Sequence, residues 1–127
     1  MKELTRQEAI NCLILFNIFN EEDINNHEKA TEFYIKHLME GWDICDIDRM
    51  AHLNTLFGYD IGIDNWSKIS SELWGNEIYW NDYGCGIEIL ELDSKDKELL
   101  QKVCKDLNLN LSFDKWRTED FKCYEYY

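Results

Sequence analysis

The chain has 127 residues, of which 45% are hydrophobic and 14% aromatic, and its formal net charge is −13. This length suits one domain, and the apolar content is sufficient for a packed core, which excludes a disordered chain. With 26 acidic residues against 13 basic ones, we expect no direct binding to nucleic acid or to an anionic membrane, because both attract Lys and Arg.

Hydrophobic periodicity predicts two helices in the first third of the chain. Thr5 and Glu8 have the spacing of a capping box, in which each side chain accepts a hydrogen bond from the backbone of the other. The apolar pattern that follows predicts a helix over about 5–19. A second helix is predicted over about 26–40, with Gly41 as its C-terminal stop.

The third and fourth helices are predicted from capping carboxylates and glycine stops. The third begins near Asp43 or Asp46 and ends at Gly58. A short fourth helix is capped by Asp64 and ends at Gly75. Carboxylates are favourable at a helix start because the first backbone N–H groups have no partner within the helix and the helix dipole is positive there.

The hydrophobic pattern changes from helical to alternating after the fourth helix. Turn-forming residues between the segments 77–80 and 85–92 predict a β-hairpin. A further helix is predicted over about 94–107, because its apolar residues recur at helical spacing. Two closing strands are predicted at 111–116 and 121–126.

These elements predict an α+β fold in one compact domain over residues 1–127. Its helical N-terminal half, with three or four helices over about 1–75, precedes a small antiparallel β-β-α-β-β unit over about 76–127. Helices and strands that are segregated along the chain are typical of this class and not of alternating α/β folds. The chain contains no proline, and no flexible linker suggests a domain boundary.

The cysteines predict a reduced, cytoplasmic protein. Their number is odd and none forms a CxxC pair, whereas secreted disulfide frameworks usually show even counts. No apolar stretch reaches the roughly 18–20 residues of a membrane span, and no secretory leader is visible. We therefore expect five reduced thiols, at Cys12, Cys45, Cys85, Cys104 and Cys123. Of these, Cys12 and Cys104 should react most slowly, because both lie on apolar helix faces.

No combination of residues forms a recognisable catalytic or metal-binding motif. The three histidines and Cys45 lack the tight spacing of a zinc site. Cys45 and His52 would lie two helical turns apart, roughly 10 Å, which is too far for a nucleophile and its base to share a hydrogen bond. The segment with Asp43, Asp46 and Asp48 lacks the glycine and terminal glutamate of an EF-hand loop. We expect no catalytic residue, no cofactor and no bound metal.

The acidic residues are unevenly distributed. Residues 1–20 are balanced and the segment after residue 94 is close to neutral, whereas residues 40–93 carry twelve acidic residues against Arg49 and Lys68. Carboxylates on successive helical turns lie about 6 Å apart and resemble the charges of a phosphate backbone. The tryptophans and tyrosines between them are either binding anchors or core residues. The predicted partner-binding residues are Asp43, Asp46, Asp48, Asp60, Asp64, Glu72, Glu77 and Asp82.

This distribution predicts an acidic inhibitor or immunity-type protein. It would bind a basic nucleic-acid-binding partner, such as a nuclease or a CRISPR or restriction effector, and block the nucleic-acid surface by mimicry. In charge and size the chain resembles phage-encoded anti-restriction and anti-CRISPR proteins and the immunity proteins of nuclease toxins, although no motif links it to them.

Two other classes remain open. The alternative is a non-catalytic oligomeric module, structural or regulatory, whose acidity serves only solubility. The third class is a small enzyme without a recognisable motif, although we expect no catalysis. Binding that weakens steeply with salt favours the inhibitor, and salt-insensitive self-association favours the module.

Overall fold

A computed structural model describes residues 3–75, 80–82, 88–90 and 92–119, with the backbone alone for 74–75, 80–82 and 88–90. Most of the described chain is α-helical, in six helices. In chain order the elements are α1 (Arg6–Leu15), α2 (Glu21–Asn26), α3 (Glu28–Met39), α4 (Ile44–Phe57), α5 (Ile63–Gly75), β1 (Trp80–Asp82), β2 (Glu88–Leu90), a 3₁₀ turn (Ser94–Asp96) and α6 (Lys97–Asp106).

The predicted α+β fold class is wrong, because the described chain is helical and forms no β-β-α-β-β unit. β1 and β2 have three residues each and pair antiparallel with one another, Asn81 opposite Ile89. The predicted strand at 111–116 has no strand structure, and the predicted strand at 121–126 lies outside the described residues. The apolar spacing at 111–116 instead reflects rings that pack on the end of α4.

Reciprocal caps begin the first two helices. The predicted capping box of α1 is confirmed: the Glu8 N–H donates to Thr5 Oγ1 at 3.2 Å, and the Thr5 N–H donates to Glu8 Oε1 at 3.0 Å. Asn20 and Asp23 form the same box at the start of α2, a helix that the sequence analysis missed. α1 ends before the predicted boundary, and Asn17 just beyond it has a positive φ of 57°.

The C-terminal end of α3 is a Schellman motif. The Gly41 N–H donates to the Leu38 carbonyl at 3.1 Å, and the Trp42 N–H donates to the His37 carbonyl at 3.0 Å. Gly41 takes a φ of 92°, where a side chain would be strained, so its predicted role as the stop is confirmed. The Trp42 and His37 rings then meet edge to face, with centroids 5.8 Å apart.

The predicted glycine stop of α4 is confirmed, and α6 is followed by an asparagine in the same backbone region. Gly58 follows α4 with a φ of 81°, and Asn108 follows α6 with a φ of 57°. Asp64 was predicted as the cap of α5, but it lies inside the first turn of that helix. Asp93 forms a capping box with Asp96 at the 3₁₀ turn that leads into α6.

The described residues group into two compact units, one up to Asp48 and one from Arg49 onward, and each has its own buried side chains. The single domain over residues 1–127 stays a prediction. In the first unit α1 and α2 both pack on α3. Its buried residues include Ala9, Leu13, Phe19, Ala30, Tyr34, Ile35, Leu38 and Ile47.

The second unit is built from most of α4, from α5 and from α6. α5 packs on α6, and His52 Nε2 of α4 hydrogen-bonds to the carbonyl oxygen of Leu92 before the 3₁₀ turn. Because a carbonyl only accepts, His52 Nε2 carries the proton. The buried residues of the second unit include Leu53, Leu56, Phe57, Ile61, Trp66, Ile69, Leu73, Leu92, Leu100, Val103, Cys104 and Trp116.

Candidate functional site

Asp43 and Asp46 lie at the start of α4, in the first unit. Asp43 is exposed, and its Oδ1 accepts a hydrogen bond from the Cys45 N–H at 2.8 Å. Asp46 is half-buried in the first turn of the helix. Both positions favour a negative charge, because unpaired N–H groups and the helix dipole stabilise it there. Asp43 therefore presents a carboxylate whose orientation is set by its own backbone.

Asp48 does not belong to an exposed acidic face, which corrects the predicted site. Only 2% of Asp48 is exposed, and its Oδ1 accepts a hydrogen bond from the Tyr34 hydroxyl at 2.6 Å. Tyr34 is itself fully buried and packs edge to face against Phe19, with centroids 5.1 Å apart. A carboxylate enclosed in this way holds the first unit together and is not available to a partner.

A helical spacing in the sequence could have revealed this burial. Asp48 shares one face of α4 with Ala51 and Thr55, which follow it by three and seven residues and are both buried. The sequence analysis included Asp48 in the predicted site because it lies within the acidic excess of residues 40–93. Tyr34, which donates the hydrogen bond to Asp48, lies in α3, so the residues near Asp48 in the sequence do not predict this contact.

Asp60 orders the connection between α4 and α5, in the second unit. Its exposed carboxylate accepts hydrogen bonds through Oδ1 from the Gly62 N–H at 2.9 Å and from Asn54 Nδ2 at 3.4 Å. Asn54 is only 1% exposed, and its Oδ1 accepts from the Ile61 N–H at 3.0 Å. The amide of Asn54 thus binds both the backbone of the loop and the acid that projects from it.

The remaining predicted site residues fall in or after α5. Asp64 is exposed in the first turn of α5, and Glu72 is exposed near its other end. Asp82 is described through its backbone alone, as the last residue of β1, and Glu77 lies outside the described residues. The structure therefore places Asp60, Asp64 and Glu72 on the surface of the second unit.

One exposed acid outside the predicted set already has a basic partner. Both guanidinium Nη atoms of Arg6 contact the carboxylate of Glu32, one of them at 3.0 Å. The hydrogen bond from Arg6 lowers the pKa of Glu32, and the same bond raises the pKa of Arg6. This pairing removes Glu32 from the acids that could attract a partner.

α2 contributes exposed acids that the predicted site did not include. Glu21 and Glu22 are exposed in the first turn of this six-residue helix. The sequence did carry a signal for it, since Asn20 and Asp23 have the same three-residue spacing as Thr5 and Glu8.

The described aromatic residues serve mainly as core. Trp66 and Trp116 are each 7% exposed and therefore buried, while Trp42 is half-buried against His37. Tyr59 is half-buried, and its hydroxyl exchanges hydrogen bonds with the backbone of Ser112. Burial raises the pKa of Tyr59. Burial accounts for Trp66 and Trp116, and packing on His37 accounts for Trp42, so these three residues need no binding protein to explain them.

Cysteine burial differs from the predicted order of reactivity. The three cysteines that the structure describes are not in disulfide bonds, and Cys85 and Cys123 lie outside the described residues. Cys104 is buried, and burial raises the pKa of its thiol to about 11. Cys12 is only half-buried, so the predicted shielding of Cys12 is weaker than that of Cys104.

The described part of the chain holds no group of three or more His, Cys, Asp or Glu side chains arranged to bind a metal ion. Within the same residues, no helix combines the length and the apolar character that crossing a bilayer requires. These features define a small, helical, strongly acidic protein. Comparisons with protein-family models, with curated proteins and with solved structures found no match to this chain.

Proposed function

We propose that this protein is a cytoplasmic acidic inhibitor, of the immunity type, that binds a basic nucleic-acid-binding protein such as a nuclease and covers its nucleic-acid surface. The observation that supports it is the set of exposed carboxylates at Asp43, Asp60 and Asp64, in a chain with a net charge of −13. No catalytic role is part of the proposal, and the oligomeric state is left open.

Backbone hydrogen bonds make two of these carboxylates suitable for binding. Asp43 and Asp60 each accept a backbone N–H at 2.8 and 2.9 Å, respectively, through one oxygen. A carboxylate has two oxygens with about four acceptor positions, so each retains capacity for an arginine or a lysine. Because the side chain is already ordered, binding loses less side-chain entropy than it would with a mobile acid.

Long-range attraction would bring the partner to the exposed carboxylates. A strongly acidic protein is steered toward a basic groove, and the association slows as salt screens the charges. An isolated surface ion pair contributes only about 0–1 kcal/mol, so affinity requires several carboxylates that each pair with a basic side chain of the partner. The inhibitor would then displace nucleic acid by competing for the same Lys and Arg side chains.

A neutralised variant tests the proposal without disturbing the caps. The variant combines Asp43→Asn, Asp60→Asn and Asp64→Asn, which removes three negative charges. Each side chain keeps an acceptor oxygen, and Asn caps helices as well as Asp does. Asp48 stays unchanged because it is buried. The matched control combines Glu98→Gln, Asp106→Asn and Asp114→Asn, which are also exposed and remove the same total charge.

The assay has two steps. Basic proteins are first captured on the wild-type chain from a bacterial lysate at low salt, eluted at high salt and identified by mass spectrometry. Displacement of labelled duplex DNA from each captured protein is then followed by fluorescence anisotropy. We expect the first variant to need at least about tenfold more protein than the control for half displacement, which corresponds to about 1.4 kcal/mol. If both variants displace DNA as the wild type does, the carboxylates act only in solubility.

A non-catalytic oligomeric module is the second candidate, and exposed apolar residues on α1 favour it. Leu15 is 74% exposed and Ile14 is 36% exposed, in the part of the chain where acidic and basic residues balance. Self-association through α1 would therefore meet little charge repulsion. Sedimentation of the wild type and of Leu15→Glu at low and high salt tests this alternative, which predicts a dimer that the substitution dissociates.

A further inference from the structure

The segment 112–117, called the strap below, follows α6 and is held by partners elsewhere in the second unit. The Ser112 N–H donates to the Tyr59 hydroxyl at 3.0 Å, and that hydroxyl donates to the Ser112 carbonyl at 3.1 Å. At the other end, the Arg117 N–H donates to the Leu56 carbonyl at 2.9 Å, in the last turn of α4. The strap is thus attached at its two ends to the end of α4 and the residues just beyond it.

Aromatic rings attach the middle of the strap. Phe113 and Trp116 both pack on Phe57, with ring centroids 4.9 and 5.4 Å away. Trp116 is 7% exposed, and its Nε1–H donates to the Ser94 carbonyl at 3.1 Å. The other strap side chains at 112, 114 and 115 are exposed. Two rings and three backbone hydrogen bonds are thus among the contacts that hold the strap.

Gly58 permits the close approach of the strap. Its φ is 81°, and a Cβ at this position would lie 2.5 Å from the carbonyl oxygen of Lys115 and 2.8 Å from Lys115 Cβ. Real Cβ atoms do not approach a backbone oxygen so closely, so a side chain here would force the strap away. The strap can dock because residue 58 is glycine.

We propose that the strap is a detachable latch that docks and releases as a unit while α4 and α6 remain folded. Short segments with few backbone hydrogen bonds of their own open at lower free energy than the helices on which they pack. Release exposes the Phe57 and Trp116 rings and leaves the Leu56 carbonyl open at the end of α4. The fold therefore contains a conformational switch between a closed surface and an apolar one.

Gly58→Ala in the full chain tests the latch, because the added methyl group blocks docking. Amide hydrogen exchange should accelerate at least about 100-fold at Ser112 and Arg117, and by less than about threefold at Leu53 in α4 and Val103 in α6. Gly62→Ala is the matched control: Gly62 has a similar φ of 88°, but no atom lies within 4 Å of the added Cβ. We expect its strap amides to exchange as in the wild type.

Two results would overturn the latch. Equal acceleration in the strap, α4 and α6 would make the strap an integral part of the folded unit, and unchanged exchange at Ser112 and Arg117 would show that the strap stays docked. Should Gly58→Ala fail to fold, wild-type exchange in low urea decides. Strap amides that open locally exchange at rates independent of urea, whereas amides that open only by global unfolding accelerate together with Leu53.

Discussion

Removing the Tyr34 hydroxyl is the sharpest test of the buried carboxylate. In Tyr34→Phe the ring stays in place, but Asp48 loses a hydrogen bond of 2.6 Å in a site where the two residues are 0% and 2% exposed. Hydrogen bonds to charged groups contribute about 1.5–3 kcal/mol, and a buried acceptor that loses a partner is not compensated by water. The substitution removes only the hydroxyl oxygen, so the small cavity that it leaves adds little to the loss of stability.

We therefore expect Tyr34→Phe to lower the free energy of unfolding by about 1.5–3 kcal/mol. For a chain of this length, this loss corresponds to a fall in Tm of roughly 5–12 °C. Urea titration followed by far-ultraviolet circular dichroism measures the first quantity, and a thermal scan measures the second. Tyr59→Phe is the control: its hydroxyl is half-buried and bonds to neutral backbone groups, so its removal should cost about 1 kcal/mol or less.

A double-mutant cycle assigns the loss to the pair. Asp48→Asn preserves the size of the side chain and an acceptor oxygen but removes the charge. If Tyr34 and Asp48 interact as the 2.6 Å contact indicates, the two substitutions should be non-additive by about 1 kcal/mol or more. Additive effects, or a loss below about 0.5 kcal/mol for Tyr34→Phe, would refute the role of the buried pair.

Four further outcomes are expected. At pH 8, iodoacetamide should alkylate Cys12 and Cys45 well before Cys104. Burial raises the pKa of Cys104 from 9.0 to about 11, which leaves roughly a hundredfold less of its reactive thiolate. Comparable alkylation rates of the three thiols by mass spectrometry would contradict this expectation. Since the folded pKa is the higher one, the corresponding stability is present below pH 9 and declines as the pH rises toward 11. Asn54→Ala should destabilise the second unit by about 2 kcal/mol, because the Ile61 N–H loses its buried acceptor, and urea titration would show no change if the loop held without it. Thr5→Ala should lower stability by about 1 kcal/mol through loss of the α1 cap, whereas Thr5→Asn should be nearly neutral in the same titration.

The sequence shows which acids are present and which lie near helix starts, whereas tertiary packing decides which of them face solvent. The acidic excess between residues 40 and 93 is a property of the chain, and the positions of Asp43 and Asp64 near helix starts follow from local capping preferences. Whether a given acid faces solvent depends on what packs over it. The sequence predicts an exposed Asp48 because its side chain is acidic, whereas the structure buries Asp48 in a hydrogen bond with Tyr34.

The same division explains the error in fold class. The alternation within 111–116 is compatible with a strand, and a strand requires a neighbour that accepts and donates backbone hydrogen bonds. In this protein those bonds go to the Tyr59 hydroxyl and to the Leu56 carbonyl, while the rings of Phe113 and Trp116 pack on Phe57. The strand prediction was wrong because residues 114–115 form a turn and the segment packs on the end of a helix.

What the sequence determined by itself is the set of features that involve neighbours along the chain. The Thr5–Glu8 box and the stops at Gly41 and Gly58 depend on side chains and φ angles within a few residues. The tertiary structure decided the contacts between residues far apart: Tyr34 with Asp48, 14 residues apart, and Tyr59 with Ser112, 53 residues apart. Local preferences act before any fold exists, whereas the burial of a charge or the docking of a strap is favourable only once the distant surface that receives it has formed.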